Sequence, residues 1–275
     1  MPMLTIATRV HDYGRSTPEM LFERIAEDGF EGVMLAFQKA IAGVCSYGDV
    51  TPAHIARVKS ALWNNGLALE TLGVYMELGM ADEAQRQQAI AQFLAGMRVA
   101  KNMGISQVAS ETTPMHKQPQ GTTPEEAYRC LVRSMEEILP VAQKMGITVC
   151  LEPVYYHALS SARLAKKLMN DLQSPNLKMT LDPANLLDLP QFDNQYAVWD
   201  EAFELLGDAV RVVHIKGIRA VNGKREKASA LFESVLDYPY LFQKIKQLHR
   251  PLHIIREETA PATASEDVAY LKSLC

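Results

Sequence analysis

The sequence has no apolar run near the roughly 20 residues that a membrane-spanning helix needs. Its first ten residues, MPMLTIATRV, lack the basic flank, long apolar core and small-residue cleavage site of a secretory signal. Its four cysteines are widely spaced and form no CxxC pair, which argues against a disulfide framework or a zinc ribbon. We therefore expect a cytoplasmic protein with reduced thiols and no membrane partner.

The chain also has no excess of positive charge, since it contains 28 Lys and Arg and 32 Asp and Glu and its net charge is −4. Nucleic-acid-binding proteins usually carry a basic stripe, so we expect no nucleic-acid partner. One local exception is the segment KGIRAVNGKREK, in which Lys216, Arg219, Lys224 and Arg225 cluster. The segment is either a solvated loop or a site for an anionic substrate.

Aromatic residues make up 7% of the chain and apolar residues 48%, so the core must be built mainly from aliphatic side chains. Glycines at 66, 104 and 146 each come just before a short apolar run, and Asn176 stands in the same relation to the next run. Glycine or asparagine in the left-handed conformation commonly ends a helix. Thr17, Thr51 and Thr123 each precede proline, which is the signature of a helix start.

Eight strand-like runs alternate with helical stretches along the chain: LTIATRV, FEGVML, LALETLGV, ISQVAS, ITVCLEP, LKMTLDP, VRVVHIKG and PLHIIREE. About 250 residues is typical of a closed (β/α)8 barrel, and the chain has 275. We therefore predict an α/β protein, a TIM barrel of eight parallel strands with helices outside, in which residues 1–275 form a single domain.

Three of these runs end on a residue that can bind a divalent metal ion: Glu152, Asp182 and His214. The intervals between them match one strand plus one crossover helix, so parallel neighbouring strands would bring all three to one rim. Two carboxylates and an imidazole suit Mn²⁺, Mg²⁺, Co²⁺ or Zn²⁺. The sequence therefore predicts a metal site at the carboxyl ends of the strands.

The motifs LEP, LDPAN and VHIKG, in this order on eight βα units, resemble the xylose isomerase-like TIM barrels of the sugar phosphate isomerase/epimerase group. The resemblance implies a metal-dependent sugar or sugar-phosphate isomerase or epimerase with a small-molecule substrate, and a homodimer. In this family the metal is also held by a glutamate of the eighth strand. Here Ile255 stands at that position, and Glu257, two residues on and on the same strand face, is the predicted substitute.

Two further departures from the family pattern lie near the predicted metal ligands. Asn185 replaces a histidine after the strand-six aspartate, and Gly217 replaces the acid of an HxKD pattern. A glycine-rich GxGxxDY motif survives only as FESVLDY, with Asp237 and Tyr238 retained.

The chemistry that the resemblance implies is removal of a proton from carbon next to a carbonyl, through an enediolate that the metal stabilises. We predict Glu152 as the base and Glu257 as a second catalytic carboxylate, with both also binding the metal. Five residues near the same rim are the predicted substrate contacts: Lys216, Arg219, Asn185, His11 and Glu111.

Three alternatives stand beside the isomerase. A dehydratase of the inosose type would use the same kind of site. A non-catalytic barrel that binds a sugar or acid metabolite is suggested by Ile255. A DNA-repair endonuclease of the same superfamily would need a histidine-rich three-metal site, and only one of the seven histidines lies in a clear ligand motif.

Overall fold

Eight parallel strands close into a barrel in the computed structural model, which describes residues 4–275. The order around the barrel is β1, β10, β7, β6, β5, β4, β3 and β2, and β8 with β9 forms a separate two-stranded sheet. The strands are β1 Leu4–Arg9, β2 Gly32–Leu35, β3 Ala68–Gly73, β4 Gln107–Glu111, β5 Thr148–Glu152, β6 Leu177–Leu181, β7 Val210–Ile215, β8 Gly217–Val221, β9 Lys224–Ala228 and β10 Leu252–Arg256. The predicted TIM barrel is confirmed.

Helices surround the barrel and connect its strands. They are α1 Pro18–Glu27, α2 Phe37–Ala40, α3 Pro52–Asn64, α4 Glu83–Met103, α5 Pro124–Met145, α6 Ala162–Leu172, α7 Gln195–Leu206, α8 Tyr238–Lys246 and α9 Ala264–Leu274. Within residues 4–275, no helix is both long enough and apolar enough to cross a membrane.

The predicted helix ends are largely found in place. The hydroxyls of Thr17, Thr51 and Thr123 accept hydrogen bonds from the first turns of α1, α3 and α5. Gly104 and Gly146 end α4 and α5 in the left-handed conformation. The expectation for Asn176 is wrong: Gln173, with φ 45°, ends α6, and the Asn176 amide instead donates to the Ile147 carbonyl at 2.8 Å.

The barrel interior below the rim is apolar and narrow. Small and medium side chains from six of the eight barrel strands form one buried cluster: Ala7, Met34, Ala109, Cys150, Val212 and Ile255. A larger aliphatic core packs between the strands and the outer helices. Polar groups directed inward therefore meet apolar packing below them, and the rim is where they can collect.

The basic segment after β7 is an antiparallel hairpin, β8–β9, and this corrects its interpretation as a loop. Asn222 and Gly223, with φ of 51° and 71°, form its turn, and an Asn-Gly pair is the strongest short-range hairpin signal in a sequence. Gly217 begins the hairpin, where an added Cβ would lie 2.8 Å from the Ala228 carbonyl oxygen. The acid that the family carries at this position has no room here.

Candidate active site

Four side chains with metal-binding groups meet at the carboxyl rim of the barrel. Glu152 is the last residue of β5, Asp182 directly follows β6, His214 lies in β7 and Glu257 directly follows β10. Each is at most 1% exposed. The structure therefore brings together the four residues that the sequence analysis named as metal ligands, because the strand ends of a closed parallel barrel converge at one rim.

The tightest group contains Glu152, His214 and Glu257, which offer ligand atoms within 4.8 Å of one another. His214 Nδ1 lies 2.9 Å from Glu152 Oε2 and 3.0 Å from Glu257 Oε1. Among residues 4–275, neither imidazole nitrogen of His214 has a well-formed hydrogen bond, and Glu257 Oε1 also lacks one. Buried polar atoms without hydrogen bonds fit a metal site, and this donor set suits a divalent ion.

Asp182 reaches the same site but is held by a lysine. Its Oδ2 lies 2.9 Å from Lys216 Nζ, which is also 3.4 Å from Glu257 Oε2. Its Oδ1 accepts hydrogen bonds from the backbone N–H groups of Ala184 and Asn185 at 2.9 and 3.1 Å. These bonds fix the direction of the carboxylate, so Oδ2 is the oxygen that remains for a metal ion.

Proton affinities in the site are set by these close charges. Burial lowers the pKa of His214, but Glu257 and Glu152 outweigh it and raise that pKa to about 10. Burial raises the pKa of Glu257, but Arg9, His214 and Lys216 together hold it well below its ordinary value. Without a metal ion, the carboxylates are thus neutralised by a protonated imidazole and two basic side chains.

Glu257 stands in the site and Ile255 does not. Ile255 pairs in register with His214 but belongs to the apolar cluster inside the barrel. Two residues further on, Glu257 has cleared that layer and its carboxylate meets the imidazole. The two residues share a strand face, as period-two alternation requires, and lie at different depths.

Asn185 contacts a predicted base directly. Its amide donates to Glu152 Oε1 at 2.6 Å, which orients this carboxylate with its other oxygen toward His214. The retained Tyr238 has a supporting position, since its hydroxyl donates to the Lys216 carbonyl at 3.0 Å. Asn185 therefore orients the Glu152 carboxylate, and Tyr238 holds the backbone of Lys216.

Sequence reasoning missed Arg9, the last residue of β1. Its guanidinium lies 3.1 Å from Glu257 Oε1 and also pairs with Asp12 at 2.8 Å. The available signal was its place at a strand end, which in this fold faces the site. Arg225, on β9, was recognised only as part of a basic cluster. It donates to the Ala184 carbonyl at 3.1 Å beside the aspartate loop.

Two cavities share Glu111 as a wall. Asn185 and Lys216, which contact Glu152 and Asp182, line the first of them. The central lobe, about 250 Å³, is bordered by Arg9, Asn185, Lys216 and Tyr156. The side lobe, about 270 Å³, is bordered by Tyr75, Lys39, Glu77, Thr112, Lys117 and His157. A larger cavity of about 450 Å³, beside Ser161 and Asp188, shares no lining residue with either lobe.

The remaining predicted substrate contacts have different positions. Glu111 lines both lobes, and burial, followed by Glu152 and Glu257, raises its pKa to about 7. His11 packs edge-on against Tyr75, with ring centroids 6.1 Å apart, and lines neither lobe. Arg219 is not brought into the site, because it lies on the hairpin surface 3.6 Å from Glu233 and 3.9 Å from Glu226.

Comparison of the sequence with protein families gives one match of nearly full length. The profile of the xylose isomerase-like TIM barrel family matches residues 22–274. No curated protein sequence matches this one.

Solved structures of similar shape include three with informative ligands or activities. The 3-keto-D-glucoside 4-epimerase from E. coli has a TM-score of 0.76 and 17% identity, over 98% of this chain and 99% of that chain. A D-psicose 3-epimerase studied with D-fructose has a TM-score of 0.70 and 16% identity, over 96% and 89%. A barrel from Mycobacterium smegmatis in complex with magnesium has a TM-score of 0.73 and 15% identity, over 98% and 96%. At such identities the likeness establishes the fold alone.

Proposed function

This chain belongs to the xylose isomerase-like TIM barrel family, and on that premise we propose that it is a sugar epimerase or isomerase that uses a divalent metal ion. The observation that carries the proposal is the convergence of Glu152, His214 and Glu257 on one buried point. Glu152, Asp182, His214 and Glu257 would hold the ion. The epimerases among proteins of similar fold, and the magnesium bound by another, support the assignment.

A bound divalent ion would act as a Lewis acid toward the oxygens of a keto sugar. Glu152 takes the proton from the carbon next to the carbonyl, since its carboxylate is oriented by Asn185 and faces the site. The resulting enediolate carries negative charge beside Lys216 and Arg9. Arg9 is fixed by its ion pair with Asp12, so it stabilises this charge with little rearrangement.

Epimerisation is favoured over one-base isomerisation because two glutamates of the site, Glu152 and Glu257, come from separated strands. Glu152 and Glu257 come from β5 and β10, and β6 and β7 lie between these strands. One carboxylate can remove a proton from one face of the substrate, and the other can deliver a proton to the opposite face. Glu257 thereby takes the catalytic role of the eighth-strand glutamate, whose usual position is occupied here by Ile255.

The experiment is deuterium exchange during turnover of ketoses in D₂O with Mn²⁺ present. Incubation with D-fructose, D-tagatose and D-psicose should place deuterium on the carbon next to the carbonyl and produce the epimer. Glu152→Gln should abolish both results. Stoichiometric metal binding without exchange into any of these sugars would contradict the proposal and would favour the non-catalytic barrel.

Dehydration is the second candidate, and the position of Lys216 favours it. Its ammonium lies inside the site, 2.9 Å from Asp182 Oδ2. Glu152 would take the proton from carbon, the freed electron pair would form a carbon–carbon double bond as the neighbouring carbon–oxygen bond breaks, and the departing hydroxide would take a proton from Lys216 and leave as water. Loss of 18 mass units from the sugar, in place of an epimer of equal mass, would identify this reaction by mass spectrometry.

We propose that the chain forms a single domain, acts as a homodimer and works in the cytoplasm. Size-exclusion chromatography with light scattering measures the second directly.

A further inference from the structure

The side lobe contains a buried histidine that the proposed reaction does not use. His157 is 3% exposed and lines the lobe. Within the part of the chain from residue 4 to 275, neither of its ring nitrogens has a well-formed hydrogen bond. Its nearest charged partner is Glu111, whose Oε2 lies 3.9 Å from Nε2 and is too distant for a hydrogen bond. A buried imidazole without well-formed hydrogen bonds can form them with a bound ligand.

The backbone around His157 is fixed, so the ring is presented by a rigid support. The His157 N–H donates to the Val154 carbonyl, and the next residue, Ala158, donates to the Thr113 carbonyl, both at 2.8 Å. A bridge between Pro114 and His157 joins the same two loops. The loops after β4 and β5 thus form one wall of the side lobe.

The chemistry of this wall matches hydroxyl groups. Burial lowers the pKa of His157 to about 4, although Glu152 and a backbone contact with Thr112 act in the opposite direction, so the imidazole is neutral at physiological pH. A neutral imidazole has one donor and one acceptor. A sugar hydroxyl can hydrogen-bond to the imidazole. Tyr156, which borders the central lobe, has an exposed ring with its centroid 4.6 Å from that of His157.

Phosphate fits the side lobe poorly, although two lysines line it. Lys117 Nζ is already paired with Glu77 Oε1 at 2.5 Å. Lys39 Nζ lies 3.9 Å from the centre of the Tyr75 ring, in a cation–π contact. Glu77 and Glu111 line the same lobe, and their carboxylates would repel a dianion.

The dimensions of the site support an extended substrate. The central lobe and the side lobe are each smaller than the 300–1,000 Å³ of ordinary ligand pockets. Both lobes are bordered by Glu111, so they adjoin at this side chain. When a single sugar ring lies at the metal-ligand group, the side lobe has space for a second group of similar size.

We infer that the side lobe is a subsite for a neutral, hydroxyl-rich group held by His157, and that the substrate is a keto sugar that carries a second sugar ring. This inference rests on the proposed function for the reacting half of the substrate. It assigns a glycosylated substrate in place of a sugar phosphate.

The test compares fructose with its glucosyl and phosphoryl derivatives on the full Mn²⁺-loaded protein. Isomaltulose and trehalulose carry glucose on the two terminal oxygens of fructose, and the 6- and 1-phosphates carry phosphate there. By calorimetry, at least one glucosyl derivative should bind about tenfold or more tightly than fructose, which corresponds to about 1.4 kcal/mol. Neither phosphate should bind more tightly than fructose.

Variants assign the preference to His157. His157→Leu should bring the affinity for the glucosyl derivative to within about threefold of that for fructose, a loss comparable to one or two hydrogen bonds. His157→Gln, which keeps a donor and an acceptor, should retain part of the preference and guards against a folding defect in the leucine variant. His116→Leu is the matched control, because His116 is exposed and lines neither lobe. A preference that survives His157→Leu would overturn the inference.

The outcomes separate the inference from the proposed function. Deuterium exchange into fructose with no preference for either glucosyl derivative would overturn the inference and leave the proposed function standing. A glucosyl preference that depends on His157, without exchange into any ketose or ketoside, would support the subsite and overturn the proposed function. Tighter binding of a phosphate than of the glucosyl derivatives would overturn the neutral subsite, and failure of all five sugars to bind would overturn both proposals.

Discussion

Lys216 Nζ lies 2.9 Å from Asp182 Oδ2, so the ammonium group is paired with the oxygen through which Asp182 would bind a metal ion. Burial lowers the pKa of Lys216, but Asp182, Glu257 and Glu152 outweigh it and keep the ammonium charged. The lysine therefore stabilises the metal-free site and competes with a metal ion for the same oxygen. If all four residues bind the ion, the ion pair between Lys216 and Asp182 must break.

Lys216→Met should therefore tighten metal binding and weaken the metal-free fold. Removal of the competing ammonium should lower the Kd for Mn²⁺ by about tenfold or more, which corresponds to about 1.4 kcal/mol. Loss of one partner from a buried ion pair costs roughly 3–5 kcal/mol, and this should appear as a lower melting temperature in EDTA. Titration with Mn²⁺ and thermal unfolding measure the two effects.

Lys227→Met is the control for Lys216→Met. Lys227 also borders the central lobe, but its side chain is 76% exposed and pairs with Glu258 at 3.0 Å. Exposed pairs contribute little, so both readouts should stay near those of the unaltered protein. Unchanged Mn²⁺ affinity in Lys216→Met would show that the lysine does not compete with the ion.

Sequence periodicity and strand-end positions were sufficient to predict the barrel and the convergence of Glu152, Asp182 and His214. Both follow from local patterns, since each strand has its own apolar run and the closed barrel brings the strand ends together. These local patterns do not predict how far along the barrel axis Glu257 lies. Whether Ile255 or Glu257 reaches the imidazole depends on the register of β10 against β7, and these strands are distant in the sequence.

Long-range contacts also explain what the sequence did not reveal about the lysine and the lobes. The pairing of Lys216 with Asp182 joins two different strands, and no spacing rule predicts it. The side lobe exists because the loops after β4 and β5 bond to each other around His157. The hairpin β8–β9 is different, because its Asn222-Gly223 turn is a local signal in the sequence.

Metal binding should weaken as the pH falls. In the metal-free protein, Glu257 and Glu152 outweigh burial and raise the pKa of His214 to about 10. At pH 7 the imidazole is therefore protonated, and a metal ion must displace this proton. Affinity should rise about tenfold per pH unit between pH 7 and 9, because each unit lowers the proton's competition tenfold.

A second proton should enter this dependence near pH 6. Burial raises the pKa of Asp182 to about 6, against the lowering effect of Lys216. If Asp182 is a ligand, affinity should fall more steeply below pH 6 than above it. Calorimetry in buffers with different ionisation heats should give about one proton released per ion at pH 7. Release of no proton, with a constant affinity from pH 7 to 9, would exclude His214 as a ligand.

Glu257→Gln should lower turnover by roughly 10²–10⁴-fold, the usual contribution of a positioned acid or base. The amide keeps the shape of the side chain but cannot carry the charge that Arg9 and His214 face. Glu258→Gln is the matched control, since Glu258 pairs with the exposed Lys227 and makes no contact with His214 within residues 4–275. Equal turnover in the two variants would remove Glu257 from the reaction.

Ile255→Glu distinguishes the two candidate positions for the eighth-strand ligand. Ile255 is fully buried among Ala7, Met34 and Val212 in the barrel interior. A carboxyl group placed there has no partner in this apolar cluster, and such burial costs several kcal/mol. The free energy of unfolding in urea should fall by that amount, and Mn²⁺ affinity should not increase. Ile255→Leu, which conserves volume, should cost less than about 1.5 kcal/mol. A stable glutamate variant with tighter metal binding would mean that position 255 reaches the ion, and Glu257 would then lose its assignment as the substitute ligand.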